Sequence, residues 1–185
     1  MAEGTDIYAR PMAFTDLETT GLNPFHNEII EFGLVLVDQT TLEVMEEWET
    51  KVQPRYPERA NAMVRGINGF NEEEWRDAPS LEQVLPEYAQ RVQGALLTAW
   101  NIRFEAKFLE AAFHQCRIDI YQIMAYHGMD VIPLAMERLR GTGIKKFSLS
   151  TVADALGLEG EPTVHRAING ARLAFEVYKK LREPV

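Results

Sequence analysis

Phe14-Thr15-Asp16-Leu17-Glu18-Thr19-Thr20-Gly21-Leu22 is the stretch on which the reading of this chain turns. Its first half belongs to an apolar and β-branched run, residues 12 to 17 (MAFTDL), that predicts a strand. Alternate side chains of a strand share a face, so Asp16 and Glu18 aim the same way, with Cα atoms roughly 6.5 to 7 Å apart. Two carboxylates so placed can clamp a divalent cation, and two charges on a buried face are costly without a metal or other partners. An isolated Asp-x-Glu is more often a pair of solvent-facing acids on a half-exposed edge strand, because the tripeptide is common. The rest of the chain decides between the two.

Working outward, residues 29 to 37 (IIEFGLVLV) and 43 to 53 (EVMEEWETKVQ) also predict strands. Their separators, Gly21-Leu22-Asn23-Pro24 and Asp38-Gln39-Thr40-Thr41, are turn-like, and such short connections favour an antiparallel meander. A loop with Pro54, Pro57, Gly66 and Gly69 follows. Leu81, Val84, Leu85 and Tyr88 then share one face of a helix over 80–92, with Ser80 as N-cap. Residues 95 to 100 (ALLTAW) predict a short buried strand, and Phe104, Phe108, Ala111 and Ala112 a helix over 101–115. A strand and a helix are expected within 122–140, where Asp130 is the N-cap and Pro133 is tolerable in the first turn. Helices over 148–156, closed by Gly157, and 165–182 complete the pattern. No repeat or linker interrupts it, so the expectation is one α/β domain over 1–185 with its core at about 10–182.

Composition bounds the function. The 185 residues, 46% hydrophobic and 25% charged, are those of an ordinary globular protein that buries roughly 70% of its unfolded surface without staples. The single cysteine, Cys116, lies in an apolar stretch and is expected to be a buried small hydrophobe in a reducing compartment. A polar N-terminus (MAEGTDIYAR) and the lack of any apolar run near 20 residues predict neither signal peptide nor membrane span, hence a cytoplasmic protein. A net charge of −9 argues against attachment to nucleic acid by bulk positive charge, but not against a nuclease whose acids hold metal. The richest basic cluster is Arg138, Arg140, Lys145 and Lys146; four cations near a turn are more often solvated surface than a phosphate site.

Residues 14 to 22 resemble the first motif of the DnaQ-like 3'-5' exonucleases, the type with a catalytic histidine within the ribonuclease H-like superfamily. Two further segments match in order. Ala99-Trp100-Asn101-Ile102-Arg103-Phe104-Glu105-Ala106-Lys107-Phe108-Leu109 resembles the second motif, and His165-Arg166-Ala167-Ile168-Asn169-Gly170-Ala171 the third. Between the first and second motifs Ala62 to Asn68 is similar to the family's loop before its first helix. The resemblance covers about residues 10 to 182 and implies an α/β ribonuclease H-like exonuclease fold, a mixed five-stranded sheet flanked by helices. It also implies a two-metal site for Mg²⁺ or Mn²⁺. Carried over residue by residue, Asp16 bridges both metals, Glu18 binds one, Glu105 stands at the third carboxylate position, and His165 is the general base. Thr19, Thr20, Gly21 and Leu22 cradle the 3'-terminal nucleotide, with Asn101 as a further substrate contact, and Phe104 is a packing residue.

Two departures carry weight. Glu105 keeps the charge of the family's aspartate but adds a methylene, a displacement on the scale at which catalysis is sensitive. Gly170 stands where the family has its fourth carboxylate and supplies no side chain, so the two-metal site is incomplete unless another acid replaces it. Glu161, four residues before His165, and Asn169 are the nearby substitutes, and neither is implied by the motif. His165 is alternatively a loop-terminating residue bonded to backbone; His26, His114 and His127 read as ordinary surface or core residues. The resemblance implies as partners a nucleic acid 3' end and, through the proofreading branch, a DNA polymerase. Two functions follow: a metal-dependent 3'-5' exonuclease on single-stranded DNA or RNA, or a degraded exonuclease-like domain that binds nucleic acid or a polymerase without cutting.

Overall fold

The structure, a computed structural model, describes residues 6–183; residues 1–5 of the polar N-terminal stretch and residues 184–185 lie outside it. In chain order the elements are β1 (Met12–Thr19), β2 (Ile29–Val37), β3 (Val44–Lys51), α1 (Ala62–Asn68), α2 (Leu81–Arg91), β4 (Leu96–Ala99) and α3 (Ile102–Gln115). After these come α4 (Ile120–Ile123), β5 (Gly128–Asp130), α5 (Val131–Arg138), α6 (Leu149–Ala155) and α7 (Ala167–Arg182). The sheet order is β3-β2-β1-β4-β5. Short turns make β1, β2 and β3 an antiparallel meander, whereas β4 joins β1, and β5 joins β4, in parallel. Parallel neighbours need a long crossover, which α3 and α4 provide between β4 and β5. The mixed five-stranded sheet expected of a ribonuclease H-like exonuclease is therefore the fold of this chain.

Strand alternation sends β1 into two cores. Ala13 and Leu17 join Phe32, Tyr88 and Phe113 beneath α2 and α3. Met12 and Phe14 face α7 with Val35, Phe175 and Tyr178. Phe14 lies between the rings of Phe175 and Tyr178, at 5.2 and 5.4 Å between centroids, and each such pair contributes about 0.5–1.5 kcal/mol beyond area burial. Asp16 and Glu18 continue the even-numbered row of β1, so the same alternation that buries Phe14 directs both acids toward the α7 side, at the end of the strand.

Gly33 fixes how close α7 comes. It pairs with Asp16 across the β1–β2 ladder, and a Cβ there would stand 2.1 Å from the carbonyl carbon of Ala167. Only glycine lets the first turn of α7 rest its backbone on the sheet beside Asp16.

The segment read as a loop after β3 contains α1, a seven-residue helix capped by Asn61, whose side chain accepts from Val64 N–H at 3.1 Å. Its apolar Met63 and Ile67 are exposed, so no buried stripe marks it in the sequence. Asp130, Ser148 and Gly157 occupy the expected helix ends. Cys116 is half-buried rather than buried, because it caps α3 at its C-terminal end. No helix among the described residues is long and apolar enough to cross a membrane.

Candidate active site

The end of β1, the start of α3 and the loop before α7 enclose a pocket of about 290 Å³. Asp16, Glu18, Glu105, Glu161 and His165 all line it. They arrive from three parts of the chain. Asp16 and Glu18 come from the strand row just described, and Glu105 from the first turn of α3. His165 is placed by α1: its backbone N–H donates to Ile67 O at 2.9 Å. Asn68, at the end of the same helix, donates from Nδ2 to Thr19 O at 3.2 Å and accepts from Phe70 N–H at 3.1 Å. One short helix thus holds the end of β1 and the histidine loop against each other.

The acids repel one another in a half-closed space. Burial foremost, then the charges of Glu105, Glu18, Glu161 and Glu31, hold Asp16 well above the usual carboxylate range. Burial and the charge of Glu31 push Glu18 up to about 7, against a hydrogen bond from Asn68. Burial pushes Glu105 up to about 8; only 4% of it is exposed and its Oε2 has no hydrogen-bond partner. Glu31, opposite Glu18 in the β1–β2 register, is buried and offset by Arg166, whose Nε lies 3.2 Å from its Oε1. Arg166 in turn lies over the ring of Trp75.

Among the described residues no three of His, Cys, Asp and Glu already stand together in ligand geometry. The donor set nevertheless fits a hard divalent cation: clustered oxygens, mutual repulsion that a cation would relieve, and a buried carboxylate oxygen with no other partner. Asp16, Glu18 and Glu105 are the residues that would hold it.

The residues expected to cradle a nucleotide divide. Thr19, Gly21, Leu22 and Asn101 line the pocket, with Leu22 83% exposed at its rim. Thr20 does not line it; its buried hydroxyl accepts from Glu28 N–H at 2.9 Å and closes the β1–β2 connection. Phe104 lines the wall and stacks on Phe108. Trp100 also lines the pocket and donates from Nε1 to Phe147 O at 3.2 Å, tying the loop before α6 to the site. His26, His114 and His127 are exposed and lie outside it.

At Gly170 the structure differs from the simplest expectation of an empty ligand position. A Cβ there would meet Asp16 Oδ2 at 2.4 Å and Cγ at 2.7 Å. The carboxylate of Asp16 already lies against α7 where a side chain from position 170 would begin. Asn169 does not line the pocket, whereas Glu161 does. Sequence reasoning missed Asn68 and Ile67, and the matching segment Ala62 to Asn68 was the one signal available for them.

A sheet of this order with acids at the end of its central strand and a histidine before its last helix defines a ribonuclease H-like exonuclease domain. The exonuclease family model of RNase T type matches residues 13–178, and the chain belongs to this family, with the DnaQ-like proteins. It is 28% identical to the DNA polymerase III subunit epsilon of Aquifex aeolicus over 170 residues, 91% of this chain and 78% of that protein. It is 27% identical to the PolC-type DNA polymerase III of Caldanaerobacter subterraneus over 91% of its own length, but spans only 11% of that relative. Among solved structures, E. coli exonuclease I in complex with a dT13 oligonucleotide superposes with a TM-score of 0.77 at 20% identity, over 93% of this chain and 40% of that one. The nuclease domain of 3'hExo, a DEDDh family member bound to rAMP, superposes with a TM-score of 0.71 at 20% identity, over 94% and 92% of the two chains.

Proposed function

We propose that this chain is a Mg²⁺- or Mn²⁺-dependent 3'-5' exonuclease domain that acts on single-stranded DNA or RNA ends and releases nucleoside 5'-monophosphates. The observation that carries the reading is the meeting of Asp16, Glu18, Glu105 and His165 in one open pocket, from three separate parts of the chain. In this reading the whole chain is one exonuclease-like domain with its core at about 10–182. Bound divalent metal supplies charge neutralisation at the scissile phosphate and a more acidic attacking water. Asp16, Glu18 and Glu105 would hold it, and would give up the protons that burial otherwise favours on them. His165 takes a proton from the attacking water at an imidazole nitrogen. As the new P–O bond forms, the bond from phosphorus to the 3' oxygen of the preceding nucleotide breaks, and that oxygen gains a proton to leave a new 3' hydroxyl. Thr19, Gly21, Leu22 and Asn101 orient the terminal nucleotide, and the polymerase context of the epsilon-type relatives makes a DNA polymerase the partner protein in this reading.

The absent side chain at Gly170 favours a second reading, a domain that binds a nucleic acid 3' end or a polymerase without cutting it. A 3'-labelled and a 5'-labelled single strand, incubated with the purified chain in Mg²⁺ and in Mn²⁺, separate the two. The exonuclease reading expects stepwise shortening from the 3' end that EDTA and Asp16→Ala both abolish. Retention of the labelled strand without shortening in either metal selects the binding module, and cleavage that survives Asp16→Ala removes this pocket from the reaction.

A further inference from the structure

The pocket that Gly170 leaves without a fourth motif carboxylate has a further acid in its lining. Glu161 lies in the loop between α6 and α7, and its side chain lines the same pocket as Asp16, Glu18, Glu105 and His165. The loop is held there at its far end. His165 N–H is bonded to Ile67 O, and Val164 lies so close to Gly69 that a Cβ on this left-handed glycine would stand 2.9 Å from its Cγ1. Glu161 is half-buried, and its charge acts on Asp16 and on Glu18. An acidic cluster alone would not define a ligand site, but Glu105 adds an independent sign. It is 4% exposed, lines the same pocket, and keeps Oε2 buried without a partner.

We propose that Glu161 is the acidic metal ligand this chain supplies from the α6–α7 loop in place of a side chain at position 170. The inference rests on the reading of the pocket as a divalent-cation site and goes beyond it, because the family motif assigns no role to this position. It also gives the Gly170 departure a physical account. With position 170 bare, the Asp16 carboxylate lies back against α7, and Glu161 lines the pocket from the α6–α7 loop. A glutamate on a loop reaches farther than an aspartate on a helix turn, so a change of supporting element and a longer side chain go together.

The test is direct titration of Mn²⁺ into the metal-free chain by calorimetry, with thermal unfolding of each protein with and without Mn²⁺ as a second measurement. Compared are the unchanged chain, Asp16→Ala, Glu161→Gln and Glu159→Gln, the last an exposed acid two residues away on the same loop. Loss of a direct ligand should weaken Mn²⁺ binding by tenfold or more. Glu161→Gln should show that loss and a smaller Mn²⁺-induced rise in Tm, with a metal-free Tm no lower than that of the unchanged chain. Glu159→Gln should match the unchanged chain in both. If Asp16→Ala loses the ion while Glu161→Gln binds it as tightly as the unchanged chain, the cation site stands and Glu161 is not its ligand. Equal weakening by Glu159→Gln would reduce the effect to general loop charge and overturn the proposal. If the unchanged chain binds no Mn²⁺, the metal-dependent reading fails together with it.

Discussion

Placing a methyl group at position 170 tests the packing of Asp16 on α7. Gly170 lies in the first turn of α7, where replacing glycine by alanine ordinarily stabilises by about 0.5–1 kcal/mol. Here the new Cβ would sit 2.4 Å from Asp16 Oδ2 and 2.7 Å from its Cγ. Ordinary contact needs about 3.5 Å or more, so the carboxylate must retreat by about 1 Å. Overpacking costs about 1–3 kcal/mol, and the lower part of that range applies because the obstructing group is a rotatable side chain and not backbone. The two effects leave Gly170→Ala less stable by about 1 kcal/mol at most, a fall in Tm of about 2–4 °C for a chain of this length. Gly170→Asp should fall further in EDTA, since it adds a charge to acids that already repel one another, and it should recover more on Mn²⁺ addition than the unchanged chain does. Thermal unfolding of the three proteins, with and without Mn²⁺, measures both effects. If Gly170→Ala gains the full helix-propensity increment and responds to Mn²⁺ as the unchanged chain does, Asp16 does not rest against α7.

Three other outcomes are expected. Asp16, Glu18 and Glu105 all have folded-state pKa values above their ordinary ones, Glu18 at about 7 and Glu105 at about 8. The contribution of Glu18 and Glu105 to stability is therefore complete below about pH 4.5 and is lost as pH rises through about 7 and about 8, so urea midpoints in EDTA should fall across that window, with Asp16 adding to the fall in the same direction. Mn²⁺ should flatten the fall and Glu105→Gln should make it shallower; a profile that rises with pH in EDTA and is untouched by Glu105→Gln would contradict the assignment. Gly33→Ala drives a Cβ into backbone of α7 rather than into a side chain, so it should cost about 3 kcal/mol or more in chemical denaturation, against the small effect at Gly170. In the basic cluster, Arg138 donates to Glu183 O and Arg140 pairs with Glu137, leaving Lys145 and Lys146 exposed on the loop that Trp100 ties to the pocket. Neutralising the two lysines should lower the salt dependence of oligonucleotide binding by roughly one counterion for each phosphate no longer paired, and neutralising the arginines should not; equal slopes for both pairs would mark the lysines as solvated surface.

The sequence was most readable where burial writes a periodic pattern. Strand β1 shows its alternation outright, and Ala167, Ala171, Ala174, Phe175 and Tyr178 mark the buried stripe of α7. The motif residues Asp16, Glu18, Glu105 and His165 could be named because each has a fixed offset within such an element or beside it. Helix α1 left no comparable trace: it is seven residues long, includes Gly66, and exposes two of its large apolar side chains. The place of Glu161 was unreadable for a different reason. It depends on a loop held by a backbone bond between His165 and Ile67, and a backbone bond has no residue signature. The repose of Asp16 on α7 likewise depends on a close approach that two glycines permit jointly, and neither glycine announces the other.

The resting of α7 on Gly33 has a consequence for the order in which the domain is made. A ribosome delivers β1, β2 and β3 first, and α7 after the other elements of the sheet and its covering helices. While α7 is still in the exit tunnel, the row of β1 that carries Phe14, Asp16 and Glu18 has no cover, and His165 has only just been translated. A half-made domain thus owns its acids but neither its histidine loop nor the helix against which they are arranged. The pocket closes only once α7 has left the exit tunnel, so the stretch of message that encodes β1 through α6 passes through the ribosome before any finished site exists beside it.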